Sequence, residues 1–87
     1  TAVDGDQIFA NTTANPITVT LPASPAVGSE VTFIDARGTF NSNNLIINRN
    51  GSNILSNAAN LTLTTNGAAF TLVFVDSTRG WAYKDNI

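Results

Sequence analysis

The residues with the clearest chemical potential are two carboxylates, Asp4 and Asp6, which flank Gly5 near the start of the chain. In an extended segment, side chains two residues apart lie on the same side of the backbone, so the two could act as an acid pair or as part of a weak calcium site. A dedicated calcium loop needs about six oxygen ligands at ordered spacing, however, and this segment offers few. We therefore interpret Asp4 and Asp6 as turn residues.

Other catalytic or metal-binding arrangements find little support in the composition. The chain contains no histidine and no cysteine, which removes the usual zinc ligands and the commonest bases and nucleophiles. Lys84 is the only lysine. Asp35 and Asp76 each follow an apolar stretch, where an aspartate usually caps a turn by accepting hydrogen bonds from backbone amides. We predict that the protein is not an enzyme and that it binds no metal and no cofactor.

A sugar-binding site is a second possibility, centred on Trp81 and Tyr83. They lie two residues apart in a predicted strand, so both rings project from one face, with Arg79 nearby. Such a platform would stack on sugar rings. The alternative, which we favour, is structural: large aromatic side chains dominate small cores and would cover the core or a subunit contact.

The size of the chain limits how stable it is on its own. Its 87 residues form one domain, and a chain of this length buries only about 60–65% of its unfolded surface. Without cysteine no disulfide can add stability, so oligomerisation is the remaining common source. Because the sequence does not begin with Met, we expect residues 1–87 to be a fragment of a longer protein or a processed product.

Charge is scarce and has no strong bias. Charged residues make up 11% of the chain, the formal net charge is −2, and the four basic residues are scattered. This pattern argues against nucleic-acid binding, which relies on a basic surface. The chain also lacks an apolar run of about 20 residues, so we expect no membrane insertion. Its polarity comes from Asn and Thr, a composition typical of extracellular or virion surface modules.

Apolar and polar residues alternate in short segments separated by turn signals such as Asn50-Gly51 and Asn66-Gly67. About seven short strands at this spacing predict an all-β fold, either a small antiparallel sandwich or a barrel. No segment has the apolar spacing of an amphipathic helix.

The longest predicted strand, within residues 68–75, is apolar on both faces. Phe70, Leu72 and Phe74 point to one side, and Val73 and Val75 point to the other. A strand with two apolar faces is either central in a two-layer core or lies between a core and a partner subunit. These five residues are therefore the candidates for the core or a subunit interface.

The order of the motifs resembles the β-rich modules of bacteriophage tail fibres and tailspike-like proteins, cyanophages among them. The segments that carry the resemblance are Thr18-Val19-Thr20-Leu21-Pro22, Gly28 ahead of a strand ending in Asp35, Leu45-Ile46-Ile47, Gly51-Ser52-Asn53-Ile54, Leu61-Thr62-Leu63, and Thr71-Leu72-Val73-Phe74 running into Gly80-Trp81. The resemblance extends from Asp4 to Trp81. One departure is Leu55, where a glycine is common in that family, so the turn there is expected to differ.

This resemblance implies a structural virion component, located in the tail fibre and extracellular, that forms homotrimers and contacts other virion tail proteins. It brings no catalytic residues. In such a module the five candidates of the longest strand would form the core or the trimer interface. The alternative function is a carbohydrate-binding module that recognises host surface glycans through Trp81 and Tyr83.

Overall fold

The computed structural model describes residues 1–84, and these form seven β-strands in two sheets. The strands are β1 (Gln7–Ala10), β2 (Ile17–Thr20), β3 (Glu30–Asp35), β4 (Leu45–Asn48), β5 (Leu61–Leu63), β6 (Ala69–Asp76) and β7 (Gly80–Tyr83). One sheet has the order β1-β3-β6-β7 and the other β2-β4-β5. The predicted all-β fold with seven strands is confirmed. Within the described part of the chain, no helix is long and apolar enough to cross a membrane.

Both sheets are mixed, whereas an antiparallel arrangement was expected. The β1–β3 and β2–β4 pairs are parallel, and the β3–β6, β4–β5 and β6–β7 pairs are antiparallel. The reason lies in the connections. Parallel neighbours need a crossover between them, and the crossover here is a strand of the opposite sheet: β2 lies between β1 and β3 in sequence, and β3 lies between β2 and β4.

The core fills the space between the two sheets. Burial alternates along β3, with Val31 and Phe33 completely buried and their neighbours half-buried, as expected for a strand with one face on a core. Phe40, the one large apolar residue of the loop after β3, is also completely buried. The buried apolar set is Ala2, Ala10, Leu21, Val31, Phe33, Phe40, Leu45, Ile47, Ile54, Leu72, Phe74 and Trp81.

The turn at Asn50-Gly51 forms as predicted, but the segment after it does not return alongside β4. Both turn residues have positive φ, 48° and 89°, and Ser52 N donates a hydrogen bond to the carbonyl of Arg49 at 3.2 Å. Positive φ at both central residues suits Asn-Gly. Ile54 then forms isolated bridges with Asn57 and with Trp81 of β7, rather than pairing with β4. Residues 52–57 thus cross from the three-stranded sheet to the β7 edge of the four-stranded sheet, and we call them the crossing segment.

The β6–β7 hairpin forms as predicted, with β6 central in its sheet and Phe74 opposite Trp81. Gly80 begins β7 with φ 71°. A Cβ atom at this position would lie 1.9 Å from the carbonyl oxygen of Asn53, which accepts a hydrogen bond from Trp81 N at 2.9 Å. Only glycine fits between the hairpin and the crossing segment.

Candidate functional site

The five candidate residues of β6 divide between the two faces of the four-stranded sheet. Leu72 and Phe74 are buried, with 0% and 9% of their surface exposed. Phe70 is half-buried, and its ring stacks on Phe33 with the centroids 5.3 Å apart. These three point into the sandwich. Val73 and Val75 alternate with them and point to the opposite face, where Val75 is 42% exposed.

Trp81 belongs to the core, as the favoured structural interpretation expected, so it provides no platform for the alternative, sugar binding. Its side chain has no exposed surface, and its ring packs edge-on against Phe74 at a centroid distance of 5.6 Å. A ring buried in this way offers no face to a sugar. Tyr83 is half-buried and packs edge-on against Phe70 at 5.5 Å, and burial raises the pKa of its hydroxyl.

Arg79, the third candidate for glycan contact, lies in the exposed turn of the hairpin. Its Nη1 donates a hydrogen bond to Ser56 Oγ at 3.1 Å, which links this turn to the segment that crosses between the sheets. Trp81, Tyr83 and Arg79 are therefore engaged with the rest of the domain. They do not form a common exposed site.

Asp35 is the most highly engaged polar side chain, and it holds the loop after β3. Its Oδ1 accepts hydrogen bonds from the backbone N–H groups of Arg37, Gly38 and Thr39, and its Oδ2 accepts from Phe40 and Gly67, at 2.9–3.3 Å. Burial by itself would raise the pKa of this carboxyl, but the amide donors outweigh it and lower the pKa. The predicted turn-capping role is confirmed and extends to Gly67, which is distant in sequence.

The other aspartates also bind backbone amides. Asp4 Oδ1 accepts from Glu30 N, and Asp6 Oδ2 accepts from Val3 N, each at 2.9 Å. Asp76 Oδ1 accepts from the N–H groups of residues 78 and 79 at 2.9 and 2.6 Å. Among residues 1–84, no group of three or more His, Cys, Asp or Glu side chains is arranged to hold a metal ion. The interpretation of Asp4, Asp6 and Asp76 as turn residues is confirmed.

The most exposed part of the four-stranded sheet is its outer face, the side turned away from the three-stranded sheet. Strand register places its side chains in rows across the strands. We define the outer face by three rows: Phe9, Ile34 and Ala69; then Gln7, Thr32, Thr71 and Lys84; then Glu30, Val73 and Ala82. Val75 lies within the bulge of β6, between Phe74 and Asp76, and is 42% exposed.

The outer face combines exposed apolar groups with four polar side chains that are paired with one another, and with Gln7, which is exposed. Phe9 is 66% exposed. Lys84 Nζ donates to both carboxylate oxygens of Glu30, at 3.0 and 3.2 Å, and the hydroxyls of Thr32 and Thr71 bond to each other at 2.9 Å. An exposed ion pair of this kind contributes at most about 1 kcal/mol, so its significance lies in satisfying the two charges.

Sequence reasoning did not single out Phe9. A signal was present: Phe9 alternates with Ile8 and Ala10 and so shares a face with the polar Gln7. A large aromatic residue on the polar side of a strand is the sequence sign of an exposed apolar group.

Comparison with known proteins leaves the resemblance to fibre modules without further support. The chain matches no protein-family model, and it has no significant match among curated proteins.

Proposed function

We propose that this domain is a structural module of a bacteriophage tail fibre or receptor-binding fibre. Three copies assemble through it, and its role is to hold three chains in register and to resist unfolding. It acts in the virion, outside the cell, next to other tail proteins.

The observation that carries the proposal is the apolar surface of the four-stranded sheet that residues 1–84 leave exposed. A two-layer sandwich covers only the inner face of each sheet. On the outer face of this sheet, Phe9 and Val75 remain 66% and 42% exposed. Phe9 belongs to the apolar row Phe9, Ile34 and Ala69, and an exposed apolar row on a small domain favours a site of protein interaction.

Leu55 departs from the fibre pattern in residue type, and the turn there was expected to differ, but its backbone is compatible with that pattern. Leu55 stands where those modules commonly have glycine, and its φ is 52°. A non-glycine residue in this left-handed conformation costs about 1–2 kcal/mol. The backbone there thus has the conformation for which glycine is suited, although the side chain is Leu.

The hydrogen bonds that connect the loops fit a structural role. Asparagine side chains tie separate loops together: Asn43 Nδ2 donates to the Thr12 carbonyl, Asn50 Nδ2 to the Leu21 carbonyl, and Asn53 Nδ2 to the Thr78 carbonyl, each at 2.9 Å. Together with Asp35, these bonds close the ends of the sandwich. A glycan-reading role has no comparable support, since the ring of Trp81 is buried.

Molar mass in solution tests the proposal. Light scattering on the purified domain at micromolar concentration is expected to give three times the chain mass of 9.1 kDa. A monomer with full β-structure at all concentrations would contradict it. An antibody against the domain is expected to label the tail fibres of the phage particles that carry this chain, and labelling of the capsid alone would also contradict it.

A further inference from the structure

We propose that the outer face of the four-stranded sheet, centred on the row Phe9, Ile34 and Ala69, is the surface on which a second copy of this chain docks. This inference rests on the proposed function and identifies the surface that performs it. It assigns the contact to Phe9, Val73 and Val75 and leaves Phe70, Leu72 and Phe74 to the core of each copy.

The first argument is that the two charged side chains and the two threonine hydroxyls of the outer face are already paired with each other. Burying a polar group without a partner costs about 1–3 kcal/mol, and more if it is charged. Here Glu30 is paired with Lys84, and Thr32 is hydrogen-bonded to Thr71. Both pairs join side chains of the face itself, Thr32 and Thr71 on adjacent strands and Glu30 and Lys84 across β6, so they can persist when another surface covers them.

The second argument concerns charge, and it favours a copy of the same chain as the partner. Where the face lines a three-fold axis, equivalent residues of the three copies approach one another, so net charge beside the axis would meet the same charge. The outer face carries one Glu and one Lys, whose charges cancel. The net charge of −2 therefore arises from residues outside its rows. The row Phe9, Ile34 and Ala69 carries no charge at all.

The third argument comes from the edges of this sheet. The β7 edge is covered by the crossing segment, since Trp81 N bonds to the Asn53 carbonyl and Leu55 N bonds to the Trp81 carbonyl, at 2.9 and 2.8 Å. At the other edge, the carbonyl of Asp6, just before β1, accepts a hydrogen bond from Thr32 N of β3. The carbonyl of Ala10, the last residue of β1, accepts one from Ala36 N, just after β3. The intervening backbone groups of Gln7 and Phe9 therefore point away from the sheet.

Among residues 1–84, no strand pairs with this edge of β1, and an open edge beside an exposed apolar face invites pairing with other chains unless a partner covers it. Phe9 lies at the corner where the open edge and the outer face meet. A second copy seated on this face would cover both.

Two matched lysine substitutions test the surface. Phe9→Lys places a charge on the outer face, and Thr62→Lys places one on the exposed side of the three-stranded sheet. By light scattering, Phe9→Lys is expected to lower the molar mass from three chains to one with an unchanged far-UV circular dichroism spectrum, and Thr62→Lys is expected to remain trimeric. A trimeric Phe9→Lys would overturn the inference while leaving the proposed trimer intact. A monomeric parent protein would overturn the proposed function itself.

Cysteine labelling tests the same surface without disturbing it. The chain has no cysteine, so Ala69→Cys and Thr62→Cys each introduce a unique thiol at a position that is exposed in the single chain. In the assembled protein, a maleimide is expected to react at least tenfold more slowly with Cys at position 69 than at position 62. In denaturant the two rates should become equal. Equal rates in the assembled, folded protein would show that the outer face is free, and the inference would be wrong.

Discussion

Asp35 does in this domain what a disulfide or an ion-pair network does in others: it fixes a long loop. Its carboxylate accepts hydrogen bonds from the backbone amides of residues 37–40, in the loop after β3, and of Gly67, in the turn before β6. A carboxylate suits this position because it has two acceptor oxygens and no donor. With 8% of its surface exposed, it draws stability from hydrogen bonds to the charged form, which are stronger than neutral ones.

Replacing Asp35 by Asn is therefore expected to be costly. One oxygen becomes an NH₂ group, and whichever way the amide is turned it faces N–H donors that lose their acceptor. We expect a loss of about 3 kcal/mol in the free energy of unfolding, measured by urea denaturation. Asp76→Asn is the matched control: only Oδ1 of Asp76 accepts the amides of its turn, so Asn can keep both bonds and should cost less than about 1 kcal/mol. Equal losses would contradict this account of Asp35.

Acid should weaken the same interaction. The pKa of Asp35 is lower in the folded chain than its ordinary value, so the native state binds a proton less readily than the unfolded state. The stabilisation is complete above about pH 4, the ordinary pKa of Asp, and is lost as the pH falls through the lowered folded pKa. Unfolding measured between pH 6 and pH 2 should show a smaller acid dependence in Asp35→Asn. A dependence identical to that of the parent protein would exclude Asp35 as a source.

For single residues, the sequence predicts which aspartates cap turns well, and it predicts which side chains are buried less well. A carboxylate after an apolar strand indicates a capped turn, and Asp35 and Asp76 both have this role. The burial of Trp81 could not be decided from its position, because alternation shows which residues share a face but not whether that face is covered. The crossing segment and Phe74 cover it.

Among the elements, the β6–β7 hairpin is the one most dependent on a single residue. Gly80 has positive φ, and the Asn53 carbonyl occupies the place of a side chain. We expect Gly80→Ala to lower the free energy of unfolding by at least about 3 kcal/mol, since left-handed strain and a backbone collision add.

Gly38→Ala is the control for that substitution. Gly38 has a similar φ of 69°, but a Cβ there would meet nothing within 4 Å. Only the conformational strain remains, which costs about 1–2 kcal/mol. Denaturant titration of both variants separates the two effects. If Gly80→Ala costs no more than Gly38→Ala, the hairpin does not lie as close to Asn53 as the structure places it.

The strands themselves were predictable and their partners were not. Alternation in Ile17–Thr20 or Glu30–Asp35 depends on neighbours in sequence, so a short window is enough to identify a strand. The parallel pairing of β1 with β3 depends on β2 leaving for the other sheet. Nothing within either strand carries that information, which is why an antiparallel arrangement was expected.

For the whole molecule, the scarcity of charge has a structural counterpart. Among the described residues there is one ion pair, Lys84 with Glu30. Asparagine amides and Asp35 instead connect the loops, and aromatic contacts such as Phe33 with Phe70 fill the sandwich. Stability from buried surface alone is limited in so short a chain, so covering the outer face would add a contribution that one copy cannot supply.

That contribution predicts how thermal stability depends on concentration. If folding is coupled to formation of a trimer, a tenfold rise in protein concentration stabilises each chain by about 0.9 kcal/mol, because three chains gain two association steps. For a domain of this length, that shifts the melting temperature upward by about 4–7 °C.

Circular dichroism melts at 1, 10 and 100 micromolar chain are expected to show this spacing in the parent protein and in Thr62→Lys. Phe9→Lys, as a monomer, should melt at a lower temperature that does not change with concentration. A melting temperature independent of concentration in the parent protein would mean that the outer face contributes nothing to its stability. A dependence that survives in Phe9→Lys would place the contact on another surface.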